Sequence, residues 1–270
     1  MKRLAILSSV LMIFSLFAAA PTLAAAPTND TYPGRAPIAV GDSLSLDTRE
    51  ATTDADDTEM NAPCGAPAMD ASVWYELTAT TTGFIGVDVS ASDYAAGVFV
   101  ATGSPGSFEV LTCAPGATAF EAVAGETYAI LAIDDQSDGA GNGGTLEIQV
   151  AELPPPPVID LTVNKSGRFN SKTGSATISG TVNCSGGPAE FSFIDVFVRQ
   201  AVGRFYIDGY GFIEGFSCDG TTQAWSAEVF GSNGLFKGGK ALAVSFAFAC
   251  GTFLCGEGFV ERVVQLKGGK

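Results

Sequence analysis

Phe191-Ser192-Phe193-Ile194-Asp195-Val196-Phe197-Val198 decides how this 270-residue chain is read. Successive side chains of a β-strand point to opposite faces. On that period Phe191, Phe193 and Phe197 share one face, and Ile194, Val196 and Val198 share the other. A strand apolar on both faces is either central in its fold or offers one face to a partner. Sandwich cores are filled with such rings, so the three Phe residues are expected inside. The next strand places Tyr206, Tyr210 and Phe212 on one face with Asp208 between them. The carboxylate leaves burial of the tyrosines open. If exposed, they could stack on sugar rings.

The same rhythm runs outward in both directions. After residue 157, short strands are predicted at 159–163, 176–184, 190–200, 204–213, 223–230, 240–250 and 258–266. Seven short strands in this length predict an immunoglobulin-like sandwich. Earlier in the chain, β-branched or aromatic runs at 72–79, 83–89, 97–101, 119–123, 127–133 and 145–150 are bounded by Gly, Pro, Ser and Asp. No stretch keeps a helical period for long. Strand alternation puts one of Trp74 and Tyr75 in the core and the other at the surface. Between the two regions lies Pro154-Pro155-Pro156-Pro157, which favours a stiff extended spacer. The fold class expected is all-β, with two β-sandwich domains at 27–152 and 158–270 joined by a proline linker at 153–157.

Charge divides at the same place. Residues 27–153 hold 20 acidic side chains against Arg35 and Arg49, whereas residues 154–270 hold nine acidic and ten basic ones. The net charge of −15 argues against nucleic acid, since neutralising phosphates needs a basic face. The chain has no His, which excludes Ser-His-Asp triads, Cys-His pairs and His-ligated zinc.

Met1-Lys2-Arg3, an apolar run to Ala20 and the small residues of Pro21-Thr22-Leu23-Ala24 have the layout of a secretory signal peptide, assigned to 1–24. Nothing later approaches the roughly 20 apolar residues of a membrane span. The mature protein is therefore expected to be exported, extracellular or periplasmic. In an oxidising compartment, Cys64, Cys113, Cys184, Cys218, Cys250 and Cys255 read as three disulfides. Fifteen connectivities exist for six cysteines. The simplest joins Cys64 to Cys113, Cys184 to Cys218 and Cys250 to Cys255.

An ordered set of short motifs in the first half resembles the bacterial pre-peptidase C-terminal domain family of β-sandwich modules. It includes Asn29-Asp30, Ala39-Val40-Gly41-Asp42-Ser43-Leu44-Ser45-Leu46, Ser72-Val73-Trp74-Tyr75-Glu76-Leu77, Leu111-Thr112-Cys113 and Ala124-Gly125-Glu126-Thr127-Tyr128. The resemblance implies a jelly-roll-like sandwich without catalysis of its own. In some relatives it implies collagen binding, with calcium held by acidic residues near the domain start. Asn29-Asp30 matches part of that segment, but Pro27-Thr28 replaces the preceding glutamates. The second half is similar to small secreted bacterial β domains of unknown function, through Gly180-Thr181-Val182-Asn183-Cys184 and Cys218-Asp219-Gly220.

Two acidic clusters have the oxygen chemistry of calcium loops: Asp54 and Asp56 with Asp57 and Glu59, and Asp134, Asp135 and Asp138. Neither has the spacing of an EF-hand. Gly41-Asp42-Ser43-Leu44 spells an esterase nucleophile block, but no His is present to take the serine proton. Gly238-Gly239-Lys240 lacks the spacing of a phosphate-binding loop.

The function expected is non-catalytic binding or adhesion outside the cytoplasm, toward a polysaccharide, a protein matrix or an envelope component. Its candidate ligand strip is Tyr206, Asp208, Tyr210 and Phe212. Calcium is the candidate cofactor, at Asn29, Asp30, Asp54, Asp56, Asp134, Asp135 and Asp138. The first alternative is a small-molecule carrier with an apolar cleft in the second sandwich. The second is a hydrolase that uses carboxylates alone.

Overall fold

A computed structural model describes residues 25–67 and 69–269. The signal peptide predicted over 1–24 lies outside the described residues. Strand accounts for 56% of the structure and helix for 4%, so the all-β expectation holds. Among the described residues no helix is long and apolar enough to cross a membrane.

The first nine strands are β1 (Ala36–Ile38), β2 (Ser43–Asp47), β3 (Asp70–Thr78), β4 (Gly83–Asp88), β5 (Ala96–Thr102), β6 (Glu109–Pro115), β7 (Ala117–Ala122), β8 (Thr127–Asp134) and β9 (Thr145–Leu153). They form a five-stranded sheet, β1-β3-β8-β5-β6, and a four-stranded sheet, β2-β9-β4-β7. Alternation decides what lies between the sheets. Tyr75, Leu77, Ile130 and Val98 of one sheet share a core with Val87, Leu146, Ile148 and Val150 of the other.

The five-stranded sheet is buried on its second face as well, so Trp74 and Tyr75 are both buried, not one of the two. The cover is the short helix α1 (Ala55–Asn61) and the single turn Tyr32–Gly34. Trp74, Phe99, Leu131 and Ile133 meet Met60 of α1 there. Trp74 stacks on Phe108 at 5.6 Å and takes the edge of Tyr32 at 5.2 Å. The Cys64–Cys113 disulfide ties the end of this cover to β6.

Eight strands follow: β10 (Val158–Leu161), β11 (Ser166–Asn170), β12 (Ala176–Ser185), β13 (Phe191–Val202), β14 (Phe205–Glu214), β15 (Thr222–Gly231), β16 (Gly239–Cys250) and β17 (Cys255–Gly269). The immunoglobulin-like expectation is corrected here. Instead of two separate sheets, β12-β11-β17-β16-β13-β14-β15 runs in one order and closes where β15 pairs back onto β12. That closing pairing runs from Ala176↔Val229 to Asn183↔Thr222. The seam between β14 and β15 is slim, made at Gly209↔Gly231 and Tyr210↔Phe230. A small barrel needs small inward residues at its corners. A Cβ on Gly209 would lie 2.7 Å from the Phe236 ring, and one on Gly211 would lie 2.7 Å from the Glu228 carbonyl. Glycine at both places lets the strands close over Phe236, which is buried.

No sheet mixes strands from the two sides of the proline run. The three disulfides join Cys64–Cys113, Cys184–Cys218 and Cys250–Cys255, as the simplest pairing expects.

Candidate binding face

The barrel interior is filled by the smaller apolar set. On β13 the inward residues are Ile194, Val196 and Val198, all buried. The expectation that Phe191, Phe193 and Phe197 form core is overturned, since they point outward. Phe191 is 53% exposed and Phe197 50%. The reason is volume. Trp225 and Phe236 already occupy the interior with Leu266 and Ile178, leaving β-branched residues and alanine as what fits beside them.

β16 obeys the same rule. Ala241, Ala243, Ser245, Ala247 and Ala249 face inward, and Leu242, Val244, Phe246 and Phe248 alternate with them outward. Register brings the outward residues into rows across β17, β16, β13 and β14. Phe246 lies beside Phe259 and Asp195, Phe248 beside Phe193, and Phe197 between Val244 and Tyr210. Phe193 is the hub, with ring centroids of Phe248, Phe212 and Phe246 at 5.5, 5.7 and 6.4 Å. Phe197 and Tyr210 pack at 5.2 Å.

The predicted strip on β14 lies wholly within this face. Tyr206, Tyr210 and Phe212 are exposed, and Asp208 stands between them on the same side. Polar groups of β13 and β14 on this face pair with one another. The Tyr210 hydroxyl donates to Asp195 Oδ1 at 2.6 Å, which also pushes the phenol pKa up. Arg199 Nε donates to Asp208 Oδ1 at 2.6 Å, and its guanidinium lies 5.8 Å from the Tyr206 ring centroid. Two shallow depressions flank the Phe rows, of about 350 Å³ beside Phe197 and Leu242 and about 450 Å³ beside Phe191 and Phe216.

Phe230, Phe246, Phe248, Phe259 and Val263 belong to the same surface, although the sequence reading did not single them out. The signal for β16 was present. A strand whose small and large residues alternate strictly, as in Ala241 to Ala249, carries its bulk on one face. A cleft lined by Tyr206, Tyr210 and Phe212 does not form, because all three side chains leave the barrel outward.

The acidic residues of the first half are engaged separately. The Asn29 amide donates to the Trp74 carbonyl, and Asp30 accepts from Thr52. The first cluster is not a loop but the start of α1. Asp54 caps the helix by accepting from the Asp56 and Asp57 amides, and the Asp57 carboxylate accepts from the Asp54 amide at 2.6 Å. That reciprocal cap is a capping box, legible in the spacing Asp54-Ala55-Asp56-Asp57. Glu59 accepts from the amides of Gly106 and Phe108 and so pins the helix over the sheet. Asp57 is fully buried, and burial pushes its carboxyl up to about 6. Asp134 accepts from the amides of Gln136 and Gly143, Asp135 from Ser137 and Asp138 from Ala140. Among the described residues no three His, Cys, Asp or Glu side chains converge as a metal-holding group.

No family model matches the chain, and no curated protein does. Similar solved structures include Parabacteroides merdae β-glucuronidase with glycerol in its active site, at 12% identity, 72% of this chain, 27% of that one and a TM-score of 0.26. Bacteroides uniformis β-glucuronidase shares 12% identity over 72% of this chain and 26% of that one, with a TM-score of 0.23. A GH2 β-galacturonidase from Eisenbergiella tayi bound to glycerol shares 11% identity over 72% of this chain and 35% of that one, with a TM-score of 0.22. The chain thus spans between a quarter and about a third of the length of these enzymes.

Proposed function

We propose that this is an exported, non-catalytic binding and adhesion protein, and that its contact surface is the aromatic outer face of the barrel. In this reading a 27–152 sandwich of the pre-peptidase C-terminal type and the 158–270 barrel are separate domains on either side of the 153–157 linker. The contact partner is an extracellular polymer, a polysaccharide or matrix protein, or an envelope component. One observation carries the reading: an array of Phe and Tyr half-exposed on a single well-paired sheet face. Monomeric soluble proteins rarely leave contiguous apolar surface of this kind without a use for it. Three disulfides support an oxidising compartment.

The test is retention of the residue 25–270 protein on insoluble cellulose, chitin, peptidoglycan and collagen. Each is run with calcium and with a chelator, because the first-half resemblance brings calcium into the proposal. Retention on one of them, lost in Tyr210→Ala/Phe212→Ala, is the expected result. The polymer reading fails if nothing is retained in either condition.

A further inference from the structure

The aromatic face has the composition of an interface and the charge pattern of one that fits itself. Its centre is Phe193, Phe197, Phe246 and Phe248, and the charged side chains among them are Asp195 and the mutually paired Arg199 and Asp208. The Tyr210 hydroxyl donates to Asp195, which has no cation beside it among the described residues, so a partner on this face must leave that carboxylate wet or bring it a donor. Glutamates 257 and 261 on one edge and Glu214 on the other form a charged rim, the usual anatomy of a protein interface.

Charge also runs along the strands. Glu190, Glu214 and Glu257 gather at the end where Cys250 pairs with Cys255. Arg204, Lys237 and Lys240 gather at the opposite end. All six are exposed, and none takes part in an ion pair among the described residues. A two-fold axis lying across the strands reverses their direction. It sets the acidic end of one copy against the basic end of the other, and does so twice.

The barrel half is also the near-neutral one. Association through the first half would oppose two surfaces with 20 acidic and two basic residues each.

We propose that this face pairs with a second copy of the chain, making the protein an isologous dimer through β17, β16, β13 and β14. The inference rests on the reading of this face as the contact surface, and where two chains pair the second copy takes the place of the polymer on it. Sedimentation velocity over a dilution series of the residue 25–270 protein, without any polymer, tests it. The expected result is a two-chain mass that dissociates on dilution and dissociates more readily in high salt. Phe197→Asp is expected to weaken the dimer about a thousandfold, because a hot-spot loss is counted once in each copy. Its circular dichroism should remain that of the parent.

A charge-reversed pair, Glu214→Lys/Glu257→Lys, should weaken the dimer in low salt. Adding Arg204→Glu/Lys240→Glu to the same chain should restore it. This series stays informative if Phe197→Asp fails to fold. A single-chain mass at every concentration would overturn the proposal and leave the face free for a polymer. A dimer that survives both Phe197→Asp and charge reversal would overturn it by placing the contact elsewhere.

Discussion

Trp74 and Phe197 occupy equivalent situations in the two halves. Each projects from a well-paired sheet on the face opposite the main core, and each packs against other rings. Trp74 is fully buried, whereas Phe197 is half exposed. The difference lies in what the chain supplies next. In the first half, α1 and the Tyr32–Gly34 turn lie over the second face, held by Glu59 and the Cys64–Cys113 disulfide. In the barrel nothing among the described residues covers β17-β16-β13-β14. A strand pattern apolar on both faces therefore demands two covers, and here one was supplied within the chain and one was not.

The largest effect should come from the covered side. Trp74→Ala removes the ring that Tyr32 and Phe108 pack on, and a buried aromatic lost this way costs about 3–5 kcal/mol. Urea unfolding followed by tryptophan-independent circular dichroism would measure it. A cost below about 1 kcal/mol would mean that the cover contributes little to the fold.

Removing the staple should cost nearly as much. Cys64 and Cys113 are 49 residues apart, and a loop of that size corresponds to about 4 kcal/mol in the chain-entropy account. Cys64→Ser/Cys113→Ser should lower the urea midpoint accordingly. It should also speed the exchange of amides in α1 ahead of those in β13 and β16.

The cover contains its own weak point in Asp57. Its folded pKa, about 6, stands above the ordinary value of 3.8 because burial disfavours the charged form. The sign follows from linkage. A raised folded pKa favours the fold below about pH 4, and that advantage disappears as pH rises through about 6. By pH 7.5 the charged carboxylate destabilises the fold by an amount on the order of 3 kcal/mol. Asp57→Asn keeps an oxygen for the Asp54 amide and carries no charge. It should raise the melting temperature at pH 7.5 and change it little near pH 4. An equal shift at both pH values would remove ionisation as the cause.

These particulars also mark what the residues disclosed. Most strand positions were legible from period-2 alternation, a local signal, but β1, β2, β6 and β11 were not among the strands expected. The proline run sets Cys64 and Cys113 apart, and the simplest pairing of the remaining four cysteines is the one observed. The capping box at Asp54 was local too, but an acidic cluster reads equally well as a cation loop until the helix is seen. Barrel closure was not legible. It depends on β12 meeting β15, a pairing of residues such as Ile178 and Ala227 that no short window contains. The face assignment of Phe191, Phe193 and Phe197 failed for the same reason. Both parities of β13 are apolar, and only the volume left by Trp225 and Phe236 decides which one turns inward. The shared outward face of Tyr206, Asp208, Tyr210 and Phe212 follows from alternation, whereas the exposure of the tyrosines was left open by sequence and is decided by the barrel.

The smallest effect on stability belongs to the uncovered side, and there a small number is the informative one. Phe197→Ala removes a ring that is half in water and touches Tyr210. Measured at concentrations where the chain is single, the expected loss is about 0.5–1 kcal/mol, which is the scale of one aromatic pair at a surface. Retention on polymer, or the two-chain mass, should fall much further than stability does. That dissociation between a small folding cost and a large binding cost is what separates a contact surface from core. If Phe197→Ala in the single-chain form instead costs as much as Trp74→Ala in unfolding, the ring is packed as core within the chain, and the contrast between the two halves disappears.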